Sequence, residues 1–145
     1  MIFKIAAIDD PELIELVREA LKEDQSPPTW EPPVSDDFMV VQYGVFDRFG
    51  IGGVVILLRQ NGVMWDAHVI FKREFYGKAL SACRFVMADM FKRADCLKIK
   101  VEIPTNNKLA ISLAKRAGFR LLGVNESAIM KGGQLLDLAV FTKWV

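Results

Sequence analysis

From Phe38 to Lys72 the chain reads as three strands in succession, and after Gly77 its apolar residues switch to helical spacing. Phe38 to Phe46 is the first run, closed by a turn at Asp47-Arg48-Phe49-Gly50. Gly52 to Arg59 is the second, and its unbroken apolar stretch Val54–Leu58 predicts a central strand covered on both faces. Gln60-Asn61-Gly62 is a hairpin signal, because Asn-Gly tolerates positive φ, and Val63 to Lys72 is the third strand. Leu80, Cys83, Val86, Met87, Met90 and Phe91 then make one apolar helical stripe, ending near Ala94. Cys96 to Ile103 returns to period two, and Pro104 stops it. Strand, helix, strand in this order predicts a parallel crossover from 63–72 to 96–103. A meander joined to such a crossover makes a mixed α/β sheet.

The flanking segments complete the order. Ile2 to Ile8 is a short β-type run. Asp9 or Asp10 can cap a following helix with Pro11 at its first position and Leu13, Ile14, Val17, Ala20 and Leu21 on one face. Residues 25–37 form a loop with four prolines, in which Trp30 is either a lid over a ligand or a plug in the core. Asn106 or Asn107 starts a helix with Leu109, Ala110, Leu113 and Ala117 inward, ended by Gly118. Arg120 to Val145 folds back at Lys131-Gly132-Gly133. The expected order is β-α-β-β-β-α-β-α-β-β, a single domain over 1–145.

Composition narrows the classes of function. The formal net charge of +1 argues against a nucleic-acid binder. It hides a split: residues 1–37 hold ten acids and three bases, net −7, and 38–145 hold eight acids and sixteen bases, net +8. Two cysteines, Cys83 and Cys96, and one histidine, His68, exclude a disulfide framework and a Cys/His zinc site, so no metal is expected. The start is too short for a signal peptide and no apolar run reaches membrane-spanning length, so a cytoplasmic protein without a membrane partner is expected.

Two stretches can carry chemistry. The strand-to-helix turn Glu74-Phe75-Tyr76-Gly77-Lys78-Ala79-Leu80-Ser81 offers unpaired N–H groups and the positive end of a helix dipole. Gly77, Ala79 and Ser81 are small enough for a phosphate to approach, and Arg73 and Lys78 add charge; the competing reading is a glycine kept for the turn alone. The second is Asp66-Ala67-His68, where period two puts Asp66 and His68 on one face, opposite Trp65, Ala67 and Val69.

This order and spacing resemble the GNAT superfamily of N-acetyltransferases, which use acetyl-coenzyme A. In that family the turn reads Gln/Arg-x-x-Gly-x-Gly/Ala and holds the pyrophosphate; Gly77 and Ala79 match, while Glu74 stands where Gln or Arg is usual. The block from Asn107 to Phe119 is similar to Asn-x-x-Ala-x-x-Leu-Tyr-x-Lys-x-Gly-Phe, matching at Asn107, Ala110, Leu113, Gly118 and Phe119. The resemblance implies a sheet splayed between strands 63–72 and 96–103. It implies a pantetheine arm against the backbone at Ile70, Phe71 and Lys72, and cofactor contacts from Arg73, Tyr76, Gly77, Lys78, Ala79, Ser81 and Asn107. Many members carry a tyrosine that protonates the leaving thiolate where this chain has Ala114. Ser112, two residues earlier on a helix, points elsewhere.

Acyl transfer to an amine needs a base, and a histidine or a desolvated carboxylate can serve. Given the resemblance, Asp66 and His68 are the catalytic candidates, with Glu102 a weaker one. The other reading has His68 hydrogen-bonded in the sheet and Asp66 paired with a base such as Arg59. Cys83 and Cys96 read as structural. The expected function is acetyl transfer to a small-molecule or peptide amine by direct attack, with Glu23, Asp24, Glu31, Asp36 and Asp37 favouring a cationic acceptor. The alternative is an inactive GNAT-like binding or assembly module, similar to some phage-encoded proteins. The exposed edge of a closing strand often mediates pairing in the fold that this chain resembles, which makes a homodimer one expectation.

Overall fold

The computed structural model describes residues 2–5 and 40–145. Numbered along those residues, its strands are β1 (Ile2–Ile5), β2 (Val40–Asp47), β3 (Gly50–Arg59), β4 (Met64–Phe71), β5 (Lys98–Pro104), β6 (Arg120–Lys131) and β7 (Gln134–Trp144). A 3-10 turn (Arg73–Lys78) leads into helix α1 (Ala79–Met90), and α2 (Lys108–Arg116) follows β5. The helix expected over 11–24, the proline loop with Trp30, and the acids from Glu23 to Asp37 lie outside the described residues.

Among the described residues seven strands form one sheet in the order β1-β2-β3-β4-β5-β7-β6. Every neighbouring pair is antiparallel except β4–β5, which the α1 crossover makes parallel. This is the mixed, mostly antiparallel sheet that the sequence implies. β3 is buried on both sides through Val54, Val55, Ile56 and Leu57, as its unbroken apolar run requires. Odd-numbered side chains Val55, Leu57, Trp65 and Ile99 pack under α1 with Cys83, Val86, Met87 and Met90. Val54 and Ile56 join Ile51, with Ile70 against them, on the other face. The amphipathic α2 covers Ile103, Ala139 and Phe141 through Ala110 and Ala114.

The turns show how local chemistry sets the register. Gly132 (φ 56) and Gly133 (φ 76) take the two left-handed positions of a tight hairpin between β6 and β7. The Asn61-Gly62 hairpin forms too, but not through positive φ. Asn61 Oδ1 instead accepts from the N–H groups of Val63 (3.0 Å) and Met64 (2.9 Å), so a side chain supplies the turn.

Several boundaries differ from the expected ones: β3 starts at Gly50 rather than Gly52, and α1 ends at Met90 rather than near Ala94. Helical spacing at Gly77 does not start α1 directly; the 3-10 turn comes first, because buried Phe75 must reach back over β3. Gly52 makes room for it, since a Cβ there would overlap the Phe75 ring. β5 begins at Lys98 rather than Cys96. Cys96 is buried, and its N–H still donates to Arg93 O in the preceding turn (3.3 Å).

Candidate active site

Asp66 and Lys100 form the last rung between β4 and β5. Beyond it β4 stays on β3 as far as Phe71, and β5 stays on β7 as far as Pro104. The two strands therefore part into a wedge, as the splayed sheet required. A cavity of about 780 Å³ fills the wedge and passes through the plane of the sheet. Its size is that of a small-molecule site.

Hydrogen-bond alternation decides which backbone groups face the wedge. Gln60 N–H donates to Met64 O and Lys72 N–H donates to Gly52 O (2.9 and 2.8 Å), so even-numbered residues of β4 bond β3. Val63 O accepts from Leu97 and Lys98, so odd-numbered ones turn the other way. Past the last rung, whose bonds use the Ala67 N–H, the C=O of Ala67 and the N–H and C=O of Val69 and Phe71 point into the wedge. Of the positions expected to meet a pantetheine arm, Phe71 presents backbone to it. Ile70 lines the cavity, and the Lys72 amide is used by Gly52.

The side chains divide by face. Even-numbered Asp66 and His68 on β4 stand beside Lys100 and Glu102 on β5, opposite the helices. Lys100 Nζ lies 3.4 Å from Asp66 Oδ1 and 3.0 Å from Glu102 Oε1, Asp66 and Lys100 being partly buried and Glu102 exposed. Asp66 thus pairs with Lys100, while Arg59 pairs with Asp95 (3.6 Å). The Asp66–Lys100 contact is an ion pair rather than an aligned hydrogen bond, and buried Oδ1 makes none among the described residues. Burial outweighs the Lys100 ammonium and holds the Asp66 carboxyl above the usual range. Burial pushes the His68 imidazole below its usual 6.5, against the pull of Asp66 and Glu102. His68 is therefore neutral at pH 7 and can accept a proton, and with Glu102 it lines the cavity.

The other wall is apolar and lies under the helices. Cys83 is part of it, and burial raises its thiol to about 11, so it carries no thiolate at neutral pH. Cys96 is likewise raised to about 11 by burial. Neither tyrosine of the chain lines the cavity. Tyr43 is buried and donates to Asp89 Oδ2 (2.8 Å), and Tyr76 is exposed on the 3-10 turn. Ala114 is on the cavity wall.

The 3-10 turn and the start of α1, which carry the phosphate candidates Arg73, Tyr76, Gly77, Lys78, Ala79 and Ser81, contribute none of these residues to the cavity lining. Arg73, Tyr76, Gly77 and Ser81 are exposed, and Ala79 is buried. Lys78 Nζ sits over the Phe75 ring at 4.7 Å. The Phe75 and Ala79 amides bond the Lys72 and Tyr76 carbonyls. Gly77 has no positive φ, and a Cβ there would meet nothing within 4 Å, so neither backbone strain nor internal packing requires glycine. Asn107 caps α2, its Oδ1 accepting from Ala110 N–H (3.1 Å), and it also lines the cavity.

Lys100 is the site residue that sequence reasoning did not single out. Its alternation with Lys98 and Glu102 was legible, but its place between two carboxylates depends on the β4–β5 register. Among the described residues no group of three or more His, Cys, Asp or Glu could hold a metal ion, and no helix is long and apolar enough to cross a membrane.

Comparison with known proteins gives likeness in structure alone. No family model and no curated sequence matches the chain. Solved structures match over nearly its whole length. A chimera of the Vibrio cholerae spermidine N-acetyltransferase SpeG superposes with a TM-score of 0.82 at 18% identity, covering 99% of this chain and 96% of that one. A ribosomal-protein-alanine N-acetyltransferase from Brucella melitensis gives 0.82 at 14% identity, with both chains covered completely. A GNAT-family acetyltransferase from Streptococcus pneumoniae gives 0.82 at 14%, covering 99% and 98%.

Proposed function

We propose, from the premise that this chain has the GNAT fold, that it is an N-acyltransferase taking its acyl group from a coenzyme A thioester, acetyl-CoA being the simplest. One observation carries the reading: a cavity opens where β4 and β5 part, with free strand edge on one side and neutral His68 near its apex. An open wedge lined this way suits catalysis better than an assembly module, which has no use for it.

The residues fit the donor in three places. The backbone of Val69 and Phe71 can pair with the amides of a pantetheine arm as a further strand would. Arg73 and Lys78, with the start of α1 and the open space over Gly77, suit the phosphates, though Glu74 nearby opposes them. Asn107 keeps its side-chain amide donors for the same ligand, since only its oxygen is used in capping.

Bound there, the thioester supplies an acyl carbon open to attack by an amine. His68 takes the proton that the amine nitrogen gives up as the C–N bond forms. The strand N–H group at Val69 would stabilise the negative oxygen while the C–S bond breaks. With no tyrosine on the wall, the sulfur leaves as thiolate and takes its proton from solvent, which a thiol of pKa about 8.5 allows. The raised Cys83 thiol makes a covalent acyl-enzyme on the chain unfavourable, so transfer is direct. Asp66, tied to Lys100, is the weaker base. Glu102, with its side chain 41% exposed, offers an anion to a cationic acceptor, a small molecule or a peptide amine. The closing strand β7 has no free edge, because it lies between β5 and β6, so two copies would pair instead along the open edge of β6, where Leu121, Leu122 and Val124 are exposed.

The test is release of free coenzyme A thiol from acetyl-CoA across a panel of small amines and peptides. Amine-dependent release that His68→Gln reduces at least tenfold fits general-base catalysis, which contributes about 10²–10⁴-fold. Release that ignores His68→Gln removes it as the base.

A further inference from the structure

β6 carries an irregularity that β7 does not share. Asn125 pairs with Leu138 and Ile129 with Leu136, so residues 126–128 of β6 face Asp137 alone. Ser127 sits in the middle of this bulge at φ 48, and among the described residues it is the only non-glycine with positive φ. A serine does not favour that conformation, so something must hold it. The Asp137 carboxylate does, its Oδ1 accepting from the Ser127 N–H at 2.8 Å. The Asp137 carbonyl also accepts from the Thr105 N–H (3.0 Å), just past the end of β5. One aspartate thus joins the bulge to the end of β5.

The bulge decides which side chains of β6 meet the wedge. Without its two extra residues, the register of Asn125 with Leu138 would bring Ser127 opposite Leu136 and Ile129 opposite Gln134. With them, Ile129 stands opposite Leu136 and Lys131 opposite Gln134. Gln134, Leu136, Leu138 and Val140 share one face of β7, and Val140 pairs with Glu102 of β5. Ile129 and Lys131 therefore lie on the sheet face of His68 and Glu102, away from the helices. Both line the cavity, whereas Asp137 does not.

We propose that Asp137 is a positioning residue for the acceptor: by holding the bulge, it sets Ile129 and Lys131 as the wall against which the amine binds. The proposal rests on the reading of the wedge as an acyltransferase site. An amine that gives its proton to His68 arrives on this face and has the β6 wall beside it. The wall touches the amine's substituent rather than the reacting nitrogen, so its loss acts on acceptor binding. The donor's strand-edge contacts at Val69 and Phe71 belong to β4, across the wedge, and do not depend on the bulge.

The experiment compares the unaltered protein with Asp137→Ala and with Asp137→Asn, which keeps an oxygen for the Ser127 N–H. Hydrogen–deuterium exchange of the intact, ligand-free proteins should show residues 127–131 exchanging about tenfold faster in Asp137→Ala and within about twofold in Asp137→Asn. Steady-state kinetics then use acetyl-CoA with ethylamine, 1,4-diaminobutane, glycinamide and trialanine. In Asp137→Ala the amine KM should rise about fivefold or more, with kcat and the acetyl-CoA KM within about twofold, and Asp137→Asn should restore it. Unchanged exchange in Asp137→Ala would overturn the anchor. Faster exchange with an unchanged amine KM would overturn the positioning role and leave the acyltransferase reading standing. No turnover of any of the four amines by the unaltered protein would overturn that reading and the proposal with it. If Asp137→Ala fails to fold, the unaltered protein still decides the anchor: the amide of exposed Ser127 should exchange slowly, and exchange at the rate of an unstructured chain would contradict it.

Discussion

Lys100 Nζ stands 3.4 Å from Asp66 Oδ1 at the point where β4 and β5 separate, so one ion pair closes the apex of the wedge. Glu102 holds the same ammonium from the far side at 3.0 Å. Lys100→Met would leave two carboxylates facing one another with no cation between them. Folding stability should fall by about 1–3 kcal/mol, and Asp66→Asn in that background should restore part of the loss. Urea unfolding of the two single variants and the double variant measures this. Purely additive losses would mean that the pair does not hold the apex.

His68 gives a pH dependence whose sign follows from its lowered pKa. The folded protein resists protonation of this imidazole, so the stability that it contributes is full above 6.5 and is lost as pH falls through the lower folded value. Unfolding free energy should therefore decline on acidification below 6.5, and less steeply in His68→Gln. The acid limb of kcat/KM should likewise lie below 6.5. Identical stability profiles for the two proteins would show that burial does not perturb this group.

Val69 isolates the backbone edge from the side chains. Its N–H faces the wedge rather than β3, so Val69→Pro removes a donor to the ligand without removing a ladder bond. Proteins of equal helix and strand content should differ about tenfold in acetyl-CoA affinity, the equivalent of one lost hydrogen bond. Unchanged affinity would mean that no ligand amide pairs there.

Cys83 lies on the cavity wall yet stays a thiol. Incubation with acetyl-CoA in the absence of amine should leave the protein mass unchanged, and Cys83→Ala should keep turnover of the same order. A mass gain of one acetyl group that Cys83→Ala abolishes would replace direct attack with a covalent route.

Much of this architecture is legible in the residues. The unbroken Val54–Leu58 run marked the doubly covered strand, and the change of period after Gly77 marked the crossover that makes β4 and β5 parallel. Gly132-Gly133 marked the last hairpin. The rest depended on relations that no single segment encodes. Phe75 draws the chain into a 3-10 turn because Gly52, more than twenty residues earlier, leaves space for its ring. Gly52→Val should accordingly cost about 1–3 kcal/mol in a thermal or urea melt. Asp66 and His68 were legible as a pair on one face, but Lys100 met them only through the strand register. The Asn61 turn formed through its side chain, which the same dipeptide allows as readily as positive φ. Ala114 was noticeable as a missing tyrosine, whereas its place on a cavity wall emerged only once α2 was packed on the sheet.

The most direct measurement is calorimetric titration of the intact protein with acetyl-CoA. A thioester held along the strand edges at Val69 and Phe71 should bind with a micromolar dissociation constant, and Gly77→Glu, which sets a second carboxylate beside the phosphates, should weaken it. No heat at millimolar acetyl-CoA would contradict the central claim that the wedge between β4 and β5 is a coenzyme A thioester site.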